Sequence, residues 1–133
     1  MTALVLDTDT ISLYRKRRLP AAQVRLVNTG LIFVTFVTVG ELHKWAFVHR
    51  WGATRGGAMD IWLSRTTILP YDPAVARTWG TIAGRAQLRG RRRPDNDTWI
   101  AACCIHARLP LLTQNRRDYV DFATHDGLWL LGA

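Results

Sequence analysis

The sequence has few of the features that mark secreted, membrane or disulfide-stabilised proteins. Its two cysteines, Cys103 and Cys104, are adjacent and cannot close a loop, which agrees with a reducing compartment. The longest apolar run, Leu31 to Val39, is about half as long as a membrane-spanning helix. The amino terminus lacks the charged-then-apolar order of a signal peptide. We therefore expect a cytoplasmic protein without a membrane segment.

Lysine and glutamate are nearly absent, although charged residues in general are not. Only two of the 18 basic residues are lysines, and Glu41 is the single glutamate among ten acids. The net charge of +8 is large enough to attract a polyanion, and nucleic acid is the main candidate. Enrichment in arginine is also typical of proteins encoded by GC-rich genomes. Composition therefore leaves two explanations open, nucleic-acid binding and coding bias. A surface of ordinary Glu/Lys pairs is excluded, and each aspartate needs its own explanation.

Apolar strand-like runs alternate with helical patterns along the 133 residues. The alternation predicts a three-layer α/β/α sandwich with a mainly parallel sheet, in a single domain over residues 1–133. Helices are expected between the strands, with Thr38 and Asp95 as N-caps and with Gly56-Gly57 separating two helices. Pro70 makes the third strand an edge or a strand end. The predicted strands are Ala3 to Leu6, Leu31 to Val37, Thr67 to Tyr71, Pro110 to Thr113 and Leu128 to Leu131.

Four acidic residues fall where predicted strands give way to helices: Asp7, Glu41, Asp97 and Asp118. In an open parallel sheet, ligands bind beyond the carboxyl ends of the strands. Carboxylates gathered there would repel one another unless a cation neutralised them, and Mg²⁺ prefers such oxygen ligands. An acidic pocket in a basic protein suits metal-assisted cleavage of phosphodiesters.

Four short segments then carry a resemblance to a known family. Leu6 to Asp9, Thr38 to Leu42, Asp97 to Ala102 and Leu112 to Tyr119 resemble the ordered motifs of PIN-domain ribonucleases, and most of all the VapC toxins of bacterial toxin–antitoxin pairs. The resemblance implies an endoribonuclease that hydrolyses tRNA or ribosomal RNA with Mg²⁺ or Mn²⁺. It also implies that the protein is often a homodimer and is held inactive by a VapB-type antitoxin.

Carried over by position, the resemblance makes Asp7 and Asp97 the principal metal ligands. Glu41 would complete the acidic cluster and orient or deprotonate water, and Asp118 would bind or position a second metal. Asn115 stands where many relatives have the fourth carboxylate, so either Asn115 or Asp118 could fill that role.

Neighbouring polar and basic residues are expected to support this site. One group would orient the carboxylates, and another would contact RNA. The orienting group is Thr8, Asp9, Thr113 and Asn115, and the RNA-contacting group is Arg89, Arg91, Arg92, Arg93 and Arg116.

Two other functions remain open at this point. Asp7-Thr8-Asp9-Thr10 also fits the nucleophile motif of haloacid-dehalogenase-type phosphatases, although that class needs a lysine after a late strand. A non-catalytic RNA-binding module would use the basic surface alone, but it leaves the four acids unexplained.

Overall fold

The structure is a computed structural model that describes residues 1–131. Four strands and seven helices occur in the described part of the chain. In chain order they are β1 (Ala3–Leu6), α1 (Thr8–Arg15), α2 (Ala21–Thr29), β2 (Leu31–Thr35), α3 (Phe36–Val48), α4 (Ala53–Ser64), β3 (Thr67–Leu69), α5 (Pro73–Leu88), α6 (Asp95–Ala107), β4 (Leu111–Leu112) and α7 (Arg116–His125). The strands pair in the order β3-β2-β1-β4, and every pairing is parallel.

Strand β1 lies inside the sheet, and its side chains enter two separate hydrophobic cores. Val5 packs in one core with residues of α5, α6 and α7, whereas Leu4 and Leu6 pack in the other with residues of α1 to α4. All three side chains are fully buried, and each such burial contributes about 1.5–3 kcal/mol. A continuous apolar run is therefore what this position requires. The three-layer α/β/α sandwich expected from the sequence is confirmed.

The junction between β2 and α3 lies earlier than the sequence predicts. The β-branched run suggested a strand to Val37 with Thr38 as the cap, but the strand ends at Thr35. Thr35 is the N-cap, and its hydroxyl accepts a hydrogen bond of 3.3 Å from the Thr38 amide. Phe36 and Val37 pack against the α5–α7 core from the first turn of the helix, so tertiary packing overrides their strand propensity.

Two other helix boundaries also differ from expectation. The N-cap of α6 is Pro94, and Asp95 lies in the first turn, so the prediction that Asp95 caps the helix is wrong. Gly56 and Gly57 lie inside α4 and do not separate two helices. Helix α2, which the sequence analysis did not predict, follows Pro20.

The ends of the sheet agree with the sequence in part. Strand β3 is an edge strand, as Pro70 indicated. The predicted last strand, Leu128 to Leu131, is reduced to a bridge in which Leu130 pairs in parallel with Leu111. No helix in the described residues is long and apolar enough to cross a membrane.

Candidate active site

Two of the four acids singled out in the sequence, Asp7 and Asp118, lie where a strand passes into a helix. The prediction of a strand-to-helix turn is wrong for the other two, because Asp97 follows helix α5 and Glu41 lies in the second turn of α3. Asp7 directly follows β1, and Asp97 and Asp118 lie in the first turns of α6 and α7. Glu41 lies on α3. The charges of Asp118, Glu41 and Asp7 all act on Asp97. The fold therefore brings together four residues that are up to 111 positions apart in the sequence.

Asp7 is the most buried of these acids, with 3% of its surface exposed. One carboxylate oxygen accepts a 2.9 Å hydrogen bond from the Thr10 amide and caps α1. The other oxygen accepts a 2.5 Å bond from the Thr113 hydroxyl. Burial raises the pKa of Asp7, although the hydrogen bonds from Thr10 and Thr113 oppose this rise. Asp7 therefore caps a helix and also holds a desolvated negative charge at the end of the sheet.

Glu41 is oriented by two neighbouring side chains. The Thr8 hydroxyl donates a 2.6 Å hydrogen bond to Oε1, and the Asn96 amide donates a 3.4 Å bond to Oε2. Thr8 is buried, and its hydroxyl also lies 3.1 Å from that of Thr38. The orienting role expected for Thr8 fits these contacts.

The carboxyl group of Asp97 has a strongly raised pKa. Burial, followed by the charge of Asp118, raises the pKa of Asp97 to about 6. The Tyr119 hydroxyl donates a 3.3 Å hydrogen bond to Asp97 and partly offsets the increase. Burial likewise raises the pKa of Tyr119 well above its ordinary value, so Tyr119 stays a neutral donor.

Asn115 and Asp118, the two candidates for the fourth position, have different surroundings. The side-chain amide of Asn115 donates a hydrogen bond to Asp9. Its backbone amide donates a 2.9 Å hydrogen bond to the Thr113 hydroxyl. Asp118 acts directly on Asp97 and is paired with Arg93, whose Nη2 lies 3.4 Å away. Asn115 therefore links the turn after β4 to α1, whereas Asp118 belongs electrostatically to the acidic cluster.

The donor set of this cluster suits a hard divalent cation. All four candidate ligands are carboxylates, and such cations prefer oxygen. Burial is the main cause of the raised pKa values of Asp7 and Asp97, and neighbouring carboxylates add to the rise. A bound cation would favour the ionised form of both side chains. Within residues 1–131, no three His, Cys, Asp or Glu side chains are grouped closely enough to hold an ion as they stand. The residues fit the chemistry of the ion, while the ligand set itself stays a prediction.

The basic residues expected to contact RNA are largely engaged with acids of the protein. Arg89 lies 2.6 Å from Asp121 and 3.5 Å from Asp126. Arg91 lies 3.8 Å from Asp121, and Arg93 pairs with Asp118 as described above. Arg116 donates a 3.3 Å hydrogen bond to the carbonyl oxygen of residue 131.

Sequence reasoning did not assign roles to several residues that hold the acids in place. Tyr119 and Asn96 donate to Asp97 and Glu41, and Thr38 was interpreted only as a helix cap. Their one sequence signal is adjacency, since Asn96 precedes Asp97 and Tyr119 follows Asp118. Adjacency does not reveal which carboxylate a side chain will reach.

Comparison with known proteins identifies a family whose sequence pattern this chain matches. The model of the PIN domain matches residues 4–124. The Haemophilus influenzae protein named Ribonuclease VapC2 is 31% identical over 120 residues, which cover 90% of this chain and 91% of that protein.

Solved structures agree with the match at the level of the fold. VapBC-1 from nontypeable Haemophilus influenzae superposes with a TM-score of 0.84 at 22% identity, covering 98% of this chain and 97% of that one. VapBC2 from Rickettsia felis, solved bound to a DNA fragment from its promoter, gives 0.81 at 19% identity and covers 98% of each chain.

Proposed function

The chain belongs to the PIN domain family, and we propose that it is a metal-dependent endoribonuclease, the toxin of a VapBC-type toxin–antitoxin pair. The name of its curated relative, Ribonuclease VapC2, supports a hydrolase that acts on RNA. The titles of its structural neighbours, which describe VapBC assemblies, support an antitoxin partner of the VapB type. Its substrate is structured RNA, with tRNA and ribosomal RNA as the first candidates.

One observation carries the catalytic part of the proposal. The pKa of Asp97 rises to about 6 because Asp97 is desolvated and lies near Asp118, Glu41 and Asp7. A stable scaffold has little reason to collect four carboxylates against their mutual repulsion, since like charges in one site destabilise each other. A site that receives a divalent cation explains the arrangement.

Asp7 and Asp97 are the principal ligands in this proposal, and the ion is Mg²⁺ or Mn²⁺. When bound, the ion supplies Lewis-acid chemistry that stabilises negative charge on the phosphate. Thr113 holds the Asp7 carboxylate through its 2.5 Å hydrogen bond, and Tyr119 holds that of Asp97 at 3.3 Å. Such outer hydrogen bonds keep a ligand in one orientation.

Glu41 orients the attacking water and accepts its proton in this proposal. Thr8 donates the short bond to its Oε1, whereas within residues 1–131 the hydrogen bond to its Oε2 is the long 3.4 Å contact with Asn96. The second oxygen therefore retains the capacity to accept a proton. Asp118 fills the fourth acidic position, because its charge acts on Asp97 whereas Asn115 is engaged with Asp9.

The proposal extends to assembly and location. We expect a homodimer that acts in the cytoplasm, where its RNA substrates are found, and that is inactive when bound to the antitoxin.

The test is cleavage of total tRNA by the purified protein. Cleavage should require Mg²⁺ or Mn²⁺, stop with EDTA, and fall by at least about 100-fold in Asp97→Asn, because losing a catalytic carboxylate typically costs that much or more. Asp95→Asn is the matched control, since Asp95 lies in the same helical turn but is exposed, and it should cleave like the wild type. RNA binding without cleavage under every condition would instead identify a non-catalytic RNA-binding module.

A further inference from the structure

A chain of three buried threonine hydroxyls runs from the start of helix α3 to Glu41. The Thr35 hydroxyl lies 3.4 Å from that of Thr38, which lies 3.1 Å from that of Thr8. The Thr8 hydroxyl in turn donates the 2.6 Å hydrogen bond to Oε1 of Glu41. Thr35 and Thr38 are 0% exposed, and Thr8 is 5% exposed. Solvent therefore does not compete for these hydroxyls, and their partners are the ones that the fold supplies.

The number of protons in this chain fixes the direction of each hydrogen bond. A threonine hydroxyl has one proton to donate, and an ionised carboxylate has none. Thr8 gives its proton to Glu41, so the proton between Thr8 and Thr38 must come from Thr38. Thr38 has then used its own proton, so the proton between Thr35 and Thr38 comes from Thr35. The hydroxyls therefore donate in one direction, toward the carboxylate.

The chain starts at the N-terminus of helix α3. The backbone amide of Thr38 donates a 3.3 Å hydrogen bond to the Thr35 hydroxyl, and the amide groups at the N-terminus of a helix carry partial positive charge. Each hydroxyl is thus polarised toward the carboxylate, and hydrogen bonds aligned in this way strengthen one another where the local dielectric constant is low. The bond from Thr8 to Glu41 therefore depends on Thr35 and Thr38, which act on it through Thr8.

The chain holds one oxygen of Glu41 and leaves the other for the reaction. Oε1 accepts the short hydrogen bond from Thr8, whereas Oε2 lies on the side of α6, where the Asn96 side chain contacts it at 3.4 Å. Asn96 directly precedes Asp97, one of the two principal ligands proposed above. A carboxylate held firmly at one oxygen keeps one orientation, so its second oxygen continues to face the acidic cluster.

We propose that Thr38 is a positioning residue for the reaction, and that it fixes the orientation of Glu41 through Thr8. The inference rests on the proposed ribonuclease function and adds to it a residue that acts through another side chain. An oriented base contributes to kcat because it is already in place when the water attacks. If Thr38 served only to pack and to begin the helix, a methyl group could replace its hydroxyl without loss of activity.

The first experiment compares threonine, valine and serine at position 38 by the kinetics of RNA cleavage at saturating Mg²⁺. Thr38→Val keeps the shape of the side chain but removes the hydroxyl. Its kcat should fall about tenfold, the lower end of the loss typical of outer hydrogen-bond partners, while KM should change by less than about twofold. Thr38→Ser restores the hydroxyl and should recover most of kcat. The matched control is Thr78→Val, which removes a threonine hydroxyl that donates to the Ala74 carbonyl within α5 and should cleave like the wild type.

The second experiment tests whether Thr38 acts through Thr8. Thr8→Val should lower kcat at least as much as Thr38→Val, and the double variant should be no slower than Thr8→Val alone, because Thr38 then has no hydroxyl to act on. Residues that act independently would instead multiply their effects. In calorimetric titration without RNA, Thr38→Val should bind Mn²⁺ like the wild type, since Asp7 and Asp97 keep their own hydrogen bonds. Circular dichroism and thermal unfolding identify any valine variant that fails to fold, and alanine then replaces valine.

The outcomes distinguish this inference from the function on which it rests. If the wild type cleaves RNA and Thr38→Val cleaves equally fast, or if Thr38→Ser is as slow as Thr38→Val, the positioning role is overturned and the ribonuclease function stands. Multiplied losses in the double variant, or weaker Mn²⁺ binding by Thr38→Val, also overturn the role, because Thr38 would then act on the fold or on the metal ligands. If the wild type does not cleave RNA with Mg²⁺ or Mn²⁺, the proposed function fails and the inference fails with it.

Discussion

Replacing Asp97 by asparagine should stabilise the metal-free protein at neutral pH, although it should abolish activity. The side chain is partly buried, and its pKa is raised from 3.8 to about 6 by burial and by Asp118. An acid with a raised pKa holds its proton more tightly in the folded chain than in the unfolded chain. Stability is therefore lost as the pH rises from about 4 to about 6, and above that range the ionised Asp97 destabilises the fold. Asparagine has no charge to desolvate and keeps an oxygen that accepts from Tyr119.

The size of the effect follows from the shift. About two pKa units correspond to about 3 kcal/mol, and we reduce this to about 1.5 kcal/mol because the partly exposed side chain is screened by solvent. For a domain of this size, about 1.5 kcal/mol corresponds to an increase of about 4–6 °C in the unfolding midpoint. The gain should be present at pH 7.5 and should shrink as the pH approaches 4.

Differential scanning calorimetry in EDTA at several pH values measures this gap, with Asp95→Asn as the control for loss of an exposed charge in the same helical turn. Adding Mn²⁺ should reduce or reverse the gap, because a ligand that binds the folded wild type stabilises it. An Asp97→Asn variant that unfolds at a lower temperature than the wild type at pH 7.5 in EDTA would refute the reasoning. Asp97 would then make a net stabilising contribution without a cation.

Two other variants test the packing and the polar support of the site. Tyr119→Phe removes the 3.3 Å hydrogen bond to Asp97, so the pKa of Asp97 should rise further. The acidic limb of the pH–rate profile of RNA cleavage should then move to higher pH. An unchanged limb would show that this hydrogen bond does not act on Asp97. Gly30→Ala would place a Cβ 2.6 Å from both the Leu26 carbonyl oxygen and Leu4 Cδ2 and should cost about 1–3 kcal/mol in chemical denaturation. Gly80→Ala is its control, since a Cβ there meets no described atom within 4 Å, and it should gain about 1 kcal/mol in the α5 interior.

Much of the fold could be predicted because buried parallel strands have a simple sequence signature. The run from Ala3 to Leu6 is apolar throughout, and each of its last three side chains is fully buried. Boundaries were harder where two elements share one composition. The run that starts at Leu31 stays β-branched and aromatic across the junction at Thr35, and only the packing of Phe36 on the distant helices decides where the strand ends. Local propensity cannot register such a contact.

In the candidate site, too, the sequence predicts local features but not the contacts that depend on tertiary packing. Asp7 and Asp118 could be found because each follows a strand, at a junction that the alternation of patterns marks. Glu41 and Asp97 lie in α3 and α6 and were found through the resemblance of their motifs. Their partners depend on which helices pack together. Arg93 reaches Asp118 across 25 residues, and Tyr119 reaches Asp97 across 22. Neither contact follows from spacing, since both depend on how α6 and the residues just before it pack against the first turn of α7.

The distribution of charge makes this point most clearly. A net charge of +8 indicates a polyanionic ligand but not where it binds, and the densest run of arginines, near residue 90, is the natural first choice. In the folded chain, Arg89 and Arg91 are held by Asp121, so this run serves partly to neutralise acids on α7. By contrast, Arg15 on α1 and Arg55 on α4, which are 40 residues apart in the sequence, line one cavity and form no ion pair within residues 1–131. A phosphate responds to the charge left after internal pairing, and only the fold determines that remainder.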